Sequence, residues 1–477
     1  MPKSRSSPLS ARPSAAAEPA GPISASLAAF AHGLRPEAVP APVRERAKHL
    51  MLDALGIALA SGTFDFAKKA LAGLRALGTG ESWVIGMGAQ LAPRDAAIMN
   101  GILVHGLDYD DTYLPGSIHL AATAVPAALA AAALEGASGR ELLAACIVGL
   151  ETGARLSLAG RGNIHRAGFH PTSVCGAFSA ALVAGRLMKL TPAQLSMAQG
   201  VALATASGTV QPMQDGTWTK RFHPGWASAA GITAASLARA GFEAPPEAYE
   251  GRYGFYNVFL GQWASEAVKD DVTARLGAHW EFPRASIKLY PACHHVHAFA
   301  NAALRLREEH GVEAADIASV RARVAGIAVP LVCEPPAEKC APESSYIAQF
   351  SLQYALACSF ARGRFGLREL EAPAYTDDGL RALARKVSYE VDPDSGFPRT
   401  RTGEIVVRLK NGSELRRREE ILPDEPAADA EIVAKFMENA QMAVSGARAA
   451  RIRDLVLGIE EEKDARTFAR ELGGAAS

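Results

Sequence analysis

The stretch Pro42-Val-Arg-Glu-Arg-Ala-Lys-His-Leu50-Met-Leu-Asp-Ala-Leu-Gly-Ile57 sets Val43, Ala47, Leu50, Ala54 and Ile57 three or four residues apart. That spacing gives a helix with one apolar face. Pro42 suits the first helical turn, where no amide partner is needed, and Gly62 suits the far end. The same periodicity runs from Ile23 to about Gly261. Ser138 with Glu141, and Thr191-Pro192 with Gln194, are capping boxes. They predict helices over Arg140 to Leu158 and Ala193 to Ala206. The runs Ala177 to Gly185 and Ala227 to Ala235 are rich in Ala and Gly, which lets helix backbones approach closely. A helical bundle follows.

Past about Trp280 the texture changes. Ser319-Val-Arg-Ala-Arg-Val-Ala, Val387-Ser-Tyr-Glu-Val-Asp and Glu404-Ile-Val-Val-Arg-Leu-Lys alternate with period two and are rich in β-formers. Lys410-Asn-Gly-Ser413 reads as a type I′ turn joining 404–409 to 414–418 as an antiparallel hairpin. Helical texture returns over Ala427 to Met442 and Ala447 to Gly473. The expected fold is mainly α, with a large all-helical domain over 23–275, a smaller α+β domain over 276–425, and C-terminal helices over 426–477 that can pack back on the body.

The 477 residues, 49% hydrophobic and 21% charged with zero formal net charge, describe a soluble globular protein and exclude a nucleic-acid-binding face. Leu120 to Leu134, the longest apolar run, is too short for a bilayer and contains Pro126, so no membrane span is expected. Six scattered cysteines without a CxxC pair favour reduced thiols and a cytoplasmic location. Residues 1–22 carry Lys3, Arg5 and Arg12 among Ser, Pro and Ala and lack a secretory apolar core. They read as a disordered tail; Pro8, Pro13, Pro19 and Pro22 oppose the amphipathic helix of a transit peptide.

Four polar clusters interrupt this apolar chain. The first is His105, Asp108, Asp110, Asp111 and Thr112, followed by His119. Burying such carboxylates unpaired costs several kcal/mol. Pro115-Gly-Ser117 then breaks the chain before an apolar helix at Leu120, so the acids sit at a loop mouth. Capping, a Mg²⁺ site on Asp108, Asp110 and Asp111, and general acid-base work all remain open. His165, Arg166 and His170 form a Gly-punctuated loop before a helix, suited to an anion or to plain solvent exposure. Trp218-Thr-Lys220-Arg-Phe-His223 sets cations between aromatics, as a carboxylate pocket would. Lys288-Leu-Tyr-Pro-Ala-Cys293-His-His-Val-His297 offers a thiol and three imidazoles at a spacing poor for zinc.

Taken together these segments resemble the MmgE/PrpD superfamily, which includes 2-methylcitrate dehydratase, cis-aconitate decarboxylase and iminodisuccinate epimerase. The motifs are His105-Gly-Leu-Asp-Tyr-Asp-Asp-Thr112, Gly168-Phe-His-Pro-Thr172, Lys220-Arg-Phe-His-Pro-Gly225, Gly241-Phe with Glu250-Gly-Arg-Tyr-Gly-Phe255, Lys288-Leu-Tyr-Pro-Ala-Cys293 with His297, and Phe350-Ser-Leu-Gln-Tyr354. The resemblance implies a homodimer whose α+β domain is a lid, with a cofactor-independent, metal-free site between the domains. It implies catalytic roles for Asp108, His170, Lys220, Lys288 and Tyr354, and substrate contacts from Thr112, His119, His223, Cys293 and His297. Leu114 and Cys293 stand where the decarboxylases carry histidines.

The implied reaction is a lyase or isomerase step on a small di- or tricarboxylate, in which loss of a proton, of CO₂ or of a C–O bond leaves charge beside a carboxylate. Lys220 and Lys288 would stabilise that charge, with His170 or Lys220 moving the proton. Two other readings stand beside it. Asp108-Tyr-Asp-Asp111 resembles the acid motif of class II terpene cyclases, although aromatic content is only 7%. A helical dimer that binds a metabolite without turnover is the other.

Overall fold

The computed structural model describes residues 21–215, 217–397, 399–422 and 427–474. The expected tail lies outside these except for Gly21 and Pro22, and Pro22 leads into the helix Ile23–Gly33. The helix Ala41–Ser61 ends at Gly62 and buries every residue from Ala47 onward. A helix buried all round needs neighbours on every side. The C-terminal helices Asp429–Ala440 and Gly446–Leu457 supply one of those sides. The single helix expected over 447–473 is two, because Gly458 ends the first and Asp464 caps Ala465–Gly473.

Both capping boxes form, opening Gly139–Ala159 and Pro192–Thr205. Gly139–Ala159 is long and apolar enough to cross a membrane, yet 94% of its apolar window is buried inside the protein, as a core helix requires. It packs against Pro171–Leu187 and Ala121–Glu135. The Gly-rich crossings are as close as their composition suggests. Gly101 of Pro93–Val104 lies against Gly225 of Thr219–Arg239, where an added Cβ would meet the Gly225 amide nitrogen at 2.5 Å. One feature departs from an all-helical body. β1 (Ser82–Val84) and β2 (Ala89–Leu91) form an antiparallel hairpin within it. Three-residue strands are too short for alternation to register.

The smaller unit holds a four-stranded sheet in the order β4-β3-β5-β6, from β3 (Ile317–Val324), β4 (Val387–Val391), β5 (Arg401–Leu409) and β6 (Glu414–Ile421). β3 and β4 are parallel, and the other pairs antiparallel. The β5–β6 turn is not type I′. Only Gly412, at φ 88°, is left-handed, and its amide donates to Leu409 O. A type I′ turn requires both central residues left-handed, and Asn411 is not. The helix His294–His310 covers the sheet and is backed by Leu352–Arg362.

A connector over 268–288 joins the two units, and one buried cation fixes it. Arg155, 1% exposed, pairs with Glu151 at 2.5 Å and donates to the carbonyls of Asp271, Val272, Ala274 and His279. Glu151 accepts in turn from the amides of Glu281 and Phe282. A few residues on, Ser286 and Thr112 exchange backbone hydrogen bonds at 2.8 and 2.9 Å. That pairing brings the connector onto the acidic loop.

Candidate active site

The helix Pro93–Val104 runs out at His105, and the next helix begins at Ala121. Between them the three aspartates take three different partners. Asp111 accepts from the Leu120 and Ala121 amides, each at 3.0 Å, and so caps the incoming helix. Burial, with the Asp110 charge beside it, pushes its carboxyl up to about 6. Asp110 holds His105 Nδ1 at 2.8 and 3.1 Å with its two oxygens. Burial alone would raise the Asp110 carboxyl, but His105 and His119 keep it well below the usual carboxylate range. Asp108 sits in the left-handed region at φ 50° and accepts from Lys220 Nζ at 2.7 Å.

Lys288, brought in by the Ser286 pairing, donates to the Asp108 carbonyl at 2.6 Å and lies 3.7 Å from its carboxylate. Against burial, the two ammonium groups hold Asp108 well below the usual range. The expected convergence of Lys220 and Lys288 is therefore present. Asp111 is taken up by two amides, so the oxygen cage that a Mg²⁺ ion would need from all three aspartates does not form, although oxygens of Asp108 and Asp110 lie within 4.8 Å of each other.

Further imidazoles pack around these groups. His170 precedes Pro171–Leu187, and its Nδ1 lies 3.1 Å from Nδ1 of His223. His119 Nδ1 lies 2.8 Å from the Asp111 carbonyl, and the His119 amide donates to Thr172 Oγ1. The His105 ring lies 4.6 Å from that of His119 and 5.6 Å from that of His170. One ring nitrogen of each lies within 4.8 Å of the others, so this trio could hold a transition metal, and so could His105, Asp108, Asp110 and His119, whose ligand atoms meet the same limit. Burial, reinforced by Lys220, drives His170 well below its ordinary value and His223 down to about 4. Both are neutral at physiological pH.

A cavity of about 70 Å³ opens here, with His105, Asp108, Lys220 and Arg221 on the body side and Tyr346 and Gln349 from the smaller unit opposite. Gln349 donates to the Leu107 carbonyl across that boundary. Arg221 belongs to the cationic cluster that the sequence marks beside Lys220, whereas Tyr346 and Gln349 carry no local signal. The same is true of Lys435. It comes from a C-terminal helix, is 5% exposed, pairs with Asp53 at 2.5 Å and holds the Tyr109 carbonyl at 3.0 Å.

Several expected site residues sit elsewhere. The Tyr354 hydroxyl donates to the Glu369 carbonyl at 2.6 Å inside the smaller unit, so it is engaged away from the aspartates. His297 bonds the Ala292 carbonyl and stacks on His294, lining a separate cavity on the other side of the 286–290 segment. The side chains of that segment alternate, which sends Lys288 one way and Ile287 and Leu289 the other. Cys293 stands at the N-terminal boundary of His294–His310 without a side-chain capping bond, and burial pushes its thiol up. The Thr112 hydroxyl is buried without a partner among the described residues. The terpene-cyclase reading fails on charge. It needs a protonated acid, but Asp108 and Asp110 are held ionised by cations and imidazoles, and Asp111 is occupied by two amides.

Carboxylates, imidazoles and two ammonium groups cluster beside one cavity between a helical body and an α+β unit, the makings of an enzyme's site. Residues 25–267 match the MmgE/PrpD N-terminal domain and residues 290–461 the MmgE/PrpD C-terminal domain. The chain belongs to the MmgE/PrpD family. It is 29% identical to the cis-aconitate decarboxylase of Aspergillus terreus, over 93% of this chain and 94% of that protein. It is 27% identical to cis-aconitate decarboxylase-like protein oryM of Aspergillus oryzae, covering 94% and 96% respectively. It is also 27% identical to the cis-aconitate decarboxylase of Homo sapiens, covering 95% of each.

Proposed function

We propose that the protein is a cofactor-independent lyase or isomerase that acts on a small di- or tricarboxylate by proton transfer or by C–O or C–C cleavage next to a carboxylate. One observation carries this reading: two ammonium groups, one from the helical body and one from the connector between the units, meet at Asp108. With no substrate bound, Asp108 balances their charge. A substrate carboxylate competes for the same ammonium groups, and charge that develops on it during bond cleavage is stabilised by about 3 to 4 kcal/mol per donor. The decarboxylase relatives support the substrate class. Leu114 and Cys293, standing where those enzymes carry histidines, favour a different member of that class.

Proton NMR in D₂O with cis-aconitate, citrate and iminodisuccinate, each with and without EDTA, tests the reading. Deuterium incorporation next to a carboxylate, or net turnover, insensitive to EDTA, is expected. A folded protein that neither binds nor exchanges any of the three refutes it. We further propose a homodimer, supported by Trp218, Phe222 and Trp226 on one helix face, 47%, 37% and 38% exposed, with Phe222 stacked on Trp226. Sedimentation velocity giving a monomer at micromolar concentration would sink that part. The six free cysteines support a reducing, cytoplasmic compartment, and fractionation of expressing cells checks it. The smaller unit, which carries Tyr346 and Gln349 and follows the connector that bears Lys288, is proposed as the lid.

A further inference from the structure

Of the four clustered imidazoles, His105 has the best-defined hydrogen-bonding state. Its side chain is 0% exposed, and its Nδ1 faces both oxygens of Asp110, whose side chain is 0% exposed as well. An ionised carboxylate only accepts, so His105 Nδ1 carries the proton and Nε2 presents a lone pair. That Nε2 is buried and has no partner among the described residues, while the residue lines the cavity beside Asp108 and Lys220. A buried acceptor left unpaired is disfavoured unless a ligand completes it. The other imidazoles are spoken for differently. His170 and His223 share a hydrogen bond through their Nδ1 atoms, and His119 points its Nε2 toward Asp108, 4.0 Å away.

Building on the carboxylate reading above, we propose that His105, oriented by Asp110, is the catalytic base that removes and returns the proton on the substrate carbon next to the carboxylate. His105 Nε2 takes the proton and the C–H electron pair stays on the substrate as an enediolate. The negative charge then lies on carboxylate oxygens facing Lys220 and Lys288, and the new imidazolium is paired with ionised Asp110. Once the imidazolium has traded that proton for a solvent deuteron, its return to carbon completes exchange, and delivery of the abstracted proton to a departing hydroxyl completes dehydration as water. The arrangement, carboxylate to Nδ1–H with Nε2 toward the reacting atom, is that of other histidine bases, in which the carboxylate sets the tautomer and steadies the cation. Asp110 is thus a positioning residue. The sequence reading favoured His170 or Lys220 for this step, but the His170 Nδ1 is tied to another imidazole and Lys220 to Asp108.

The test compares wild type with His105→Gln, and with His105→Ala in the presence and absence of added imidazole, using deuterium exchange into whichever carboxylate the wild type exchanges and calorimetry for its binding. The glutamine variant should lose about 10²- to 10⁴-fold in exchange rate while binding within about threefold of wild type, and imidazole should restore part of the alanine variant's rate. Asp110→Asn should lower exchange and move the acid limb of its pH profile, a change that loss of structure alone would not produce. Exchange within tenfold of wild type in His105→Gln overturns the assignment, as does loss of wild-type exchange in EDTA, which would give the imidazole to a metal. Should the variants fail to fold, long-range ¹H–¹⁵N NMR of the wild type decides: a ring protonated at Nδ1 supports the proposal, and one protonated at Nε2 alone overturns it. A wild type that neither binds nor exchanges any carboxylate overturns the underlying functional reading and this assignment with it, whereas a wild type that exchanges alongside an equally active glutamine variant overturns this assignment alone.

Discussion

Arg155→Met is the sharpest test of how the two units are held in register. The guanidinium is buried, pairs with Glu151 at 2.5 Å and donates to four connector carbonyls, two of them at 2.7 Å. Methionine keeps the apolar stem but strands the Glu151 carboxylate, which is 0% exposed. Removing one partner of a buried pair typically costs about 3 to 5 kcal/mol. For a chain of 477 residues, an unfolding entropy of about 2.1 cal/mol/K per residue converts this to a melting-point drop of about 3 to 5 °C if the two units unfold together. The loss also depends on pH. Burial raises the Glu151 carboxyl above its ordinary value and Arg155 pulls it back, so deleting Arg155 raises it further. The folded variant then binds that proton more tightly than the unfolded chain does, and its deficit grows as pH rises from about 5 to 8. Calorimetry at pH 5, 7 and 8 measures this. Because the connector also delivers Lys288, carboxylate binding should weaken in parallel. Glu151→Gln combined with Arg155→Met should recover part of the stability, since the stranded charge is gone. A single variant melting within 1 °C of wild type at pH 8 would refute the reasoning.

Lys220→Met should lower the exchange rate about 10²- to 10³-fold without changing the melting point by more than a degree or two; an undiminished rate removes this lysine from the mechanism. Burial pushes His105 down to about 4, so between the unfolded value near 6.5 and about 4 the unfolded chain binds the proton and the folded one does not. Stability should therefore fall by roughly 3 kcal/mol from this residue as pH drops through that window, and His105→Gln should show a shallower acid slope in urea melts. Gly225→Ala meets the backbone of Ile98, which has no side-chain freedom with which to yield; a loss of at least about 1 to 3 kcal/mol is expected, and a neutral result would show that the two helices can separate without cost.

What the chain determined locally was legible because the forces are local. Ser138 and Thr191 announce helix starts, since each cap is closed by a residue three positions on. The 43–57 stripe announces a buried helix because 3.6 residues make a turn. The polar clusters, improbable in so apolar a chain, marked the segments, and the resemblance of their motifs to the family singled out Asp108, His170, Lys220 and Lys288 within them. Tertiary structure decided what those groups do. The three aspartates are equivalent in sequence, yet one balances lysines, one orients an imidazole and one caps a helix, according to partners up to 180 residues away. Lys435 reaches the acidic loop across 326 residues, and Tyr354 turns to Glu369, through packing that no spacing encodes. The free lone pair of His105 exists only because the folded chain closes around it, a property of the assembled dielectric and hydrogen bonds rather than of any segment.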